Sequence, residues 1–372
     1  MKPHIIGYIS AGILLLLWAF PSAAEPEDGK KPETGAKKTI EECIAVIESL
    51  ASETEKIKAV EKLGTLGHMK SAEFLEDFLL FKWEKRTDDS HHFSEPRRIK
   101  ERKLSQSRES VAKLRAKAAF SLGRLGFERS IPVLIKVARK DTDPVVREQS
   151  LKALRSFRDP TLISIYSHAA VADRSAGNRL QGVVGLSFYP RGIKARTMKN
   201  VLKDSNIMVR MSGIQTIGIS GRKDLLPLII EAAYDTEKAV KRNAADALAH
   251  FNTPDAAKVL VFLAQDADTA TAVSAVRALS TNSHLNSKSF MELMARVPEK
   301  ARLILLKGGF SMWNRISPAY FKELKKNIPE HLSSVHAHVH KKMKVRQKTK
   351  GISEQTEKLK IILTEWEKQC KL

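Results

Sequence analysis

Apolar residues recur along this chain with a helical period, and the helices themselves recur. An apolar residue closes a helical pattern at Leu122, Leu154, Leu186, Ile217, Leu248 and Leu279, in steps of 32, 32, 31, 31 and 31 residues. Three residues earlier stand Ala119, Leu151, Val183, Ile214, Ala245 and Val276, all apolar. Four earlier stand Ala118, Ser150, Gly182, Gly213, Ala244 and Ala275, all small. One earlier the residues are small again: Ser121, Ala153, Gly185, Thr216, Ala247 and Ala278. At about 3.6 residues per turn these offsets share one side of a helix. Small side chains there let a neighbouring helix approach closely, as stacked helix pairs must do to share one core. Apolar runs at Ile131 to Ile135, Leu162 to Ile165, Leu225 to Ile230 and Ala257 to Val261 predict the partner helices. Pro132 and Pro227 fall in first turns, where a missing N–H costs little.

Between the paired patterns an Asp recurs, at Asp141, Asp173, Asp204, Asp235 and Asp266. Six residues after each come Arg147, Arg179, Arg210 and Lys241, and then Ala272, where the pattern breaks. The Asp is placed to cap the second helix. The cation sits one turn in, within reach of a turn Asp in its own or the next repeat, and the series predicts a structural ladder. The segments Arg115-Ala116-Lys117-Ala118-Ala119-Phe120-Ser121-Leu122-Gly123-Arg124-Leu125-Gly126 and Asp141-Thr142-Asp143-Pro144-Val145-Val146-Arg147 carry a resemblance. In them the chain resembles the HEAT-repeat family, in the bacterial form also found in phycobilisome-lyase-like proteins. The resemblance spans about residues 39–281. It implies an all-α fold, an α-solenoid of antiparallel helix pairs whose second helices line the concave surface. It carries the Asp and Arg series over in a structural role only, and no lyase chemistry with it.

The flanks organise the rest. Residues 1–24 read as a signal peptide: Lys2 opens it, Ile5 to Phe20 holds no charge, and Ser22-Ala23-Ala24 supplies the small residues of a cleavage site. The expectation is export, to the periplasm or beyond, with cleavage near Ala24. Residues 25–38 form a polar linker, and 39–83 an N-terminal helix-pair repeat or cap, in which Leu63-Gly64-Thr65-Leu66-Gly67 matches the later motif. Leu63 lies 59 residues before Leu122, one period plus 27, and the excess maps to a charged insertion at 84–110. The array proper runs over 111–281, a degenerate repeat or cap over 282–330, a His- and Lys-rich segment over 331–352, and an amphipathic helix over 353–372.

Composition narrows the function. A hydrophobic fraction of 42% supports a packed core, and 2 Cys exclude a disulfide scaffold. Cys43 and Cys370 stand at opposite ends of the array, so a link within one chain requires the tail to fold back. The net charge of +22 attracts polyanions. Six basic residues in Lys341–Lys350 offer a contact to an anionic membrane surface or polysaccharide. Nucleic acid is disfavoured by the export signal, the even spread of cations and the scarcity of aromatic residues, 6%. His336, His338 and His340 alternate, but neighbouring Lys341, Lys342 and Lys344 repel a cation, so neither metal nor cofactor is expected. No phosphate loop, nucleophile elbow or zinc motif occurs, so the chain reads as a non-enzyme. Five residues before each reference position the column is polar (Lys117, Gln149, Gln181, Ser212, Asn243, Ser274), and two before it holds Lys152, Gln215, Asp246 and Arg277. Amides at regular spacing can pair with an extended peptide. Gln149, Lys152, Gln181, Asn243 and Arg277 are therefore the candidate contacts of a scaffold for a protein partner.

Overall fold

The computed structural model describes residues 34–80, 108–279, 282, 284 and 297. The chain divides into two compact units, Met1–Gly192 and Ile193–Leu372. The first holds α1 (Thr34–Glu48), α2 (Glu53–Leu63), α3 (Met69–Leu80), α4 (Arg108–Leu125), α5 (Ile131–Lys140), α6 (Pro144–Leu154), α7 (Ile163–Ala172) and α8 (Ala176–Ser187). The second holds α9 (Ala195–Val201), α10 (Ile207–Ser220), α11 (Leu226–Ala232), α12 (Lys238–Leu248), α13 (Pro254–Leu263) and α14 (Thr269–Leu279). No strand occurs among the described residues. The signal segment, the His- and Lys-rich segment and the C-terminal amphipathic helix lie outside them, as does nearly all of 282–330.

Each odd-numbered helix pairs with the even-numbered helix that follows it, and the pairs stack. Within the first unit α2, α4, α6 and α8 pack in series, as do α1, α3, α5 and α7. Within the second unit α10, α12 and α14 form one such series, and α11 packs on α13. The reference residues Leu63, Leu122, Leu154, Leu186, Ile217, Leu248 and Leu279 are all fully buried. So are Val60, Ala119, Leu151, Val183, Ile214, Ala245 and Val276, three residues earlier. The period in the sequence is thus the period of the core.

The small columns set how near the helices come. A Cβ on Gly64, the C-cap of α2, would lie 2.6 Å from Ser121 Cβ of α4, and one on Gly123 of α4 would lie 2.8 Å from Ala153 Cβ of α6. In α10 and α12 the same register brings Gly218 onto Ala247. In these three steps the residue one after a reference position meets the small residue one before the next. The α6–α8 step departs from this rule, because Arg155 takes the place of the glycine. There Gly185 makes room instead for the buried ring of Tyr166 from α7, whose Cγ would lie 2.5 Å from an added Cβ.

Three sequence expectations change in the structure. Helix α1 begins at Thr34 and takes in residues assigned to the linker, because extending a formed helix through Lys37 and Lys38 costs little. Helix α3 belongs with α4, so the insertion interrupts one pair at its internal turn, and α4 starts at Arg108, inside the range given to the insertion. Helix α9 had no counterpart among the predicted partner helices. Its seven residues bury only Met198 and Val201, too few to show a period.

Candidate functional site

The turns between paired helices are built by two residues, each with its own task. Asp141, Asp173, Asp204, Asp235 and Asp266 accept through Oδ1 the backbone N–H two positions on, at 3.0, 2.8, 2.8, 2.9 and 2.8 Å. These are Asx turns. The N-cap of the following helix is the second residue of the motif: Asp143 before α6, Asn206 before α10 and Glu237 before α12. At Asp143 and Asn206 the side chain takes the capping role expected of the first Asp, while Glu237 holds the N-cap position without a side-chain bond; the first Asp has its Oδ1 in the turn and its carboxylate facing a neighbouring repeat.

There the cations meet it. Arg147 of α6 donates from Nε and Nη2 to Asp173, both at 2.9 Å, and from Nη1 to the carbonyl of Asp141 at 2.9 Å. Arg210 of α10 repeats the arrangement, with Asp235 at 2.9 and 3.2 Å and the Asp204 carbonyl at 2.9 Å. Arg115 joins the series one repeat earlier: it pairs with Asp141 and donates to the Leu79 carbonyl. Lys241 pairs with Asp266. Arg179 donates to the Asp173 carbonyl at 3.0 Å. A planar guanidinium can hold a carboxylate bidentately and a carbonyl at once, which an ammonium cannot. Burial raises the Asp173 carboxyl, but bonds from Arg147 and the Ser175 N–H outweigh it and hold its pKa below the ordinary value. The hydrogen bond to Asp173 raises Arg147. Lys56 of α2 occupies the same column; it is buried, and that burial pushes its ammonium pKa down.

The position before each ladder cation is ordinarily aliphatic and buried: Leu114, Val146, Val209 and Val240. In α8 it is Asn178, fully buried, which donates to Asp173 at 3.3 Å while its Oδ1 has no hydrogen-bond partner among the described residues. An unmet buried amide oxygen costs about 1–3 kcal/mol, more than that long bond returns. Asn178→Val is expected to raise stability by about 1 kcal/mol, read as a higher urea midpoint at unchanged slope.

The second-helix face separates the candidate contacts. Gln181 and Asn243 are 4% and 7% exposed. Gln181 Oε1 accepts from Arg155 at 3.0 Å, and Asn243 Oδ1 from Gln215 at 2.7 Å, its own amide donating to the Ala239 carbonyl. These amides tie adjacent second helices together, and their oxygens are engaged there and not turned to solvent. The reason is depth: at these two positions the side chain faces the neighbouring helix rather than solvent. Gln149 is half-buried, and Lys152 pairs with Glu148 of its own helix at 2.7 Å. Arg277 is exposed; desolvation raises the carboxyl pKa of Asp246 on the neighbouring helix, against the smaller opposing effects of its hydrogen bond with Ser274 and of the Arg242 and Arg277 charges. Arg155, which sequence reasoning passed over, is buried at the end of α6, and that burial lowers its pKa. Its signal was a large residue in a column otherwise held by glycine, serine or alanine.

Cys43 is buried and makes no disulfide among the described residues, and burial raises its thiol pKa. Among the described residues no three His, Cys, Asp or Glu side chains gather to hold a metal, and no helix is long and apolar enough to cross a membrane.

The family model for HEAT repeats matches residues 104–183 and 195–280. Over these stretches the chain carries HEAT repeats, and with the stacked pairs above its fold is an all-α solenoid of HEAT type. No curated protein matches the sequence. Among solved structures, YibA of Escherichia coli is similar at 14% identity and a TM-score of 0.46, over 84% of this chain and 98% of that one. The complex of CpcE and CpcF of phycocyanin lyase from a Nostoc species is similar at 17% identity and a TM-score of 0.36, over 77% and 100%. An engineered protein matches at 12% identity and a TM-score of 0.48, over 92% and 93%.

Proposed function

We propose that the chain is an exported scaffold that binds a protein partner and performs no chemistry of its own. The observation that supports this best is the division of labour on the second helices. Gln181 and Asn243 are buried and tied to a neighbouring second helix, by Arg155 and Gln215 respectively. Two residues before their reference positions, Asp246 and Arg277 stand exposed on neighbouring helices of the second unit. Side chains held on braced helices lose little entropy on binding, which favours recognition at many points. Lys152, Gln149 and Arg277 are the residues assigned to such contacts. Export rests on Lys2, the uncharged run from Ile5 to Phe20 and the small residues before Glu25.

The test is crosslinking of the tagged full-length product in an envelope fraction, with the mature terminus read by mass spectrometry. A terminus at Glu25 and a protein adduct that survives added salt, but weakens in K152E/R277E, are the expected results. A retained Met1 overturns export. Binding that collapses with salt and depends only on Lys341–Lys350 overturns protein recognition in favour of an envelope polyanion.

A further inference from the structure

The turns of the α5–α6 and α7–α8 pairs leave between them an open cleft of about 650 Å³. Ligand sites commonly fall between about 300 and 1,000 Å³. Its floor is aliphatic, with Ile165, Ala169 and Ala172, and its rim carries Arg139, Lys140 and Arg174, all three exposed. Asp141 and Asp173 also border it, but their charge is spent: Asp141 is paired with Arg115 and Asp173 with Arg147. The three rim cations make no ion pair among the described residues, so the cleft has an uncompensated positive charge over an apolar floor.

The repeat itself does not demand these cations. Relative to the turn Asp, the positions of Arg139, Lys140 and Arg174 hold Ala233, Tyr234 and Thr236 at the α11–α12 turn, and Ala264, Gln265 and Ala267 at the α13–α14 turn. Arg139 and Lys140 lie in the last turn of α5, where a cation gains a few tenths of a kcal/mol from the helix dipole. Arg174 lies past the end of α7 and has no such benefit.

We propose that this cleft binds an acidic, extended segment of a partner protein, its carboxylates on Arg139 and Arg174 and its aliphatic side chains on Ile165 and Ala169. A bilayer surface is flat and cannot enter a cleft. A sulfated polysaccharide supplies charge but nothing aliphatic for the floor. The assignment rests on the reading of the chain as a protein-binding scaffold, and it places a contact at the turn edge of the array, away from the second-helix face.

The test is fluorescence anisotropy of the mature full-length chain with a labelled octapeptide alternating Asp and Leu, beside its Asn-for-Asp copy, heparin and vesicles of phosphatidylglycerol. The Asp peptide is expected to bind, and R139E/R174E to weaken it about tenfold or more, since two attractions become repulsions. Neither residue belongs to the ladder, so dichroism is expected to stay unchanged in that variant and Tm to fall by no more than the loss of the Arg139 dipole contact allows. The inference is overturned if the Asn peptide binds as well, if R139E/R174E stays within twofold of the parent chain, or if heparin or vesicles show the same dependence on Arg139 and Arg174. Loss of peptide binding in K152E/R277E, with R139E/R174E unaffected, sinks the cleft assignment alone and leaves the scaffold reading in place. Absence of peptide binding, together with salt-sensitive heparin binding that a deletion of Lys341–Lys350 abolishes, sinks both.

Discussion

Asp173→Ala is expected to lower the stability of the first unit by about 3–5 kcal/mol, the cost typical of removing one partner from a buried pair. Its carboxylate and the Arg147 guanidinium have side chains only 7% and 11% exposed. The substitution strips Arg147 of two hydrogen bonds and leaves its charge between packed helices. It also removes the acceptor of the Ser175 N–H, which organises the turn into α8, and that of Asn178. The paired replacement R147M/D173L is expected to cost far less, because two apolar groups leave no orphaned charge. Urea denaturation followed by dichroism gives the energies, and hydrogen exchange shows whether protection falls first in α6 and α8, as neighbour-to-neighbour coupling requires. An Asp173→Ala loss no larger than that of the paired replacement rejects the argument. The pH dependence follows from the same geometry. The folded pKa of Asp173 lies below its ordinary value of 3.8. The pair's contribution is therefore complete above the ordinary carboxylate range and is lost as pH falls through the folded pKa. Below about pH 4 the parent chain should lose stability with a steeper slope than R147M/D173L.

Two glycine substitutions in one helix are expected to act with opposite signs. A Cβ on Gly182 of α8 would fall 2.8 Å from both Ala170 Cα and the Tyr166 carbonyl oxygen of α7, and nearer still to the Ala170 nitrogen. Every one of these is a backbone atom, so no rotamer relieves the clash and the two helices must move apart. Gly182→Ala is expected to cost about 3 kcal/mol, the upper range for overpacking, despite about 1 kcal/mol of better helix propensity. Gly177, in the first turn of the same helix, meets only Ser175 Oγ at 3.6 Å and Glu148 Oε2 at 3.7 Å, ordinary contact distances. Gly177→Ala is expected to stabilise by about 0.5–1 kcal/mol, since only propensity and chain entropy change. Midpoints that move in the same direction for both variants reject close backbone approach as the reason for the small column.

The repeat was legible because every unit solves the same packing problem. Leu122 and its counterparts are fully buried in each repeat, and so are the residues three before them. The Asp and Arg series was legible for a related reason: a fork of fixed geometry needs a carboxylate at a fixed distance. Which Asp each Arg holds was not, because the spacing admits a turn in its own or the next repeat. The structure gives Arg147 both, the carbonyl of Asp141 and the carboxylate of Asp173. The candidate contacts fared unevenly. Gln181 and Asn243 looked like surface amides because polarity in a sequence does not distinguish a solvated group from a buried one with an internal partner. The cleft lined by Arg139 and Arg174 left no trace in the columns, since its two rims come from turns of different repeats.

The sequence by itself determined the all-helical fold, the period, the buried columns and the residues of the ladder, because helical geometry turns spacing directly into a face. Only the tertiary structure decided which polar residues are consumed inside that fold and where uncompensated charge remains. Those outcomes depend on which neighbours come within hydrogen-bonding reach, and such neighbours lie some 25 or more residues apart along the chain.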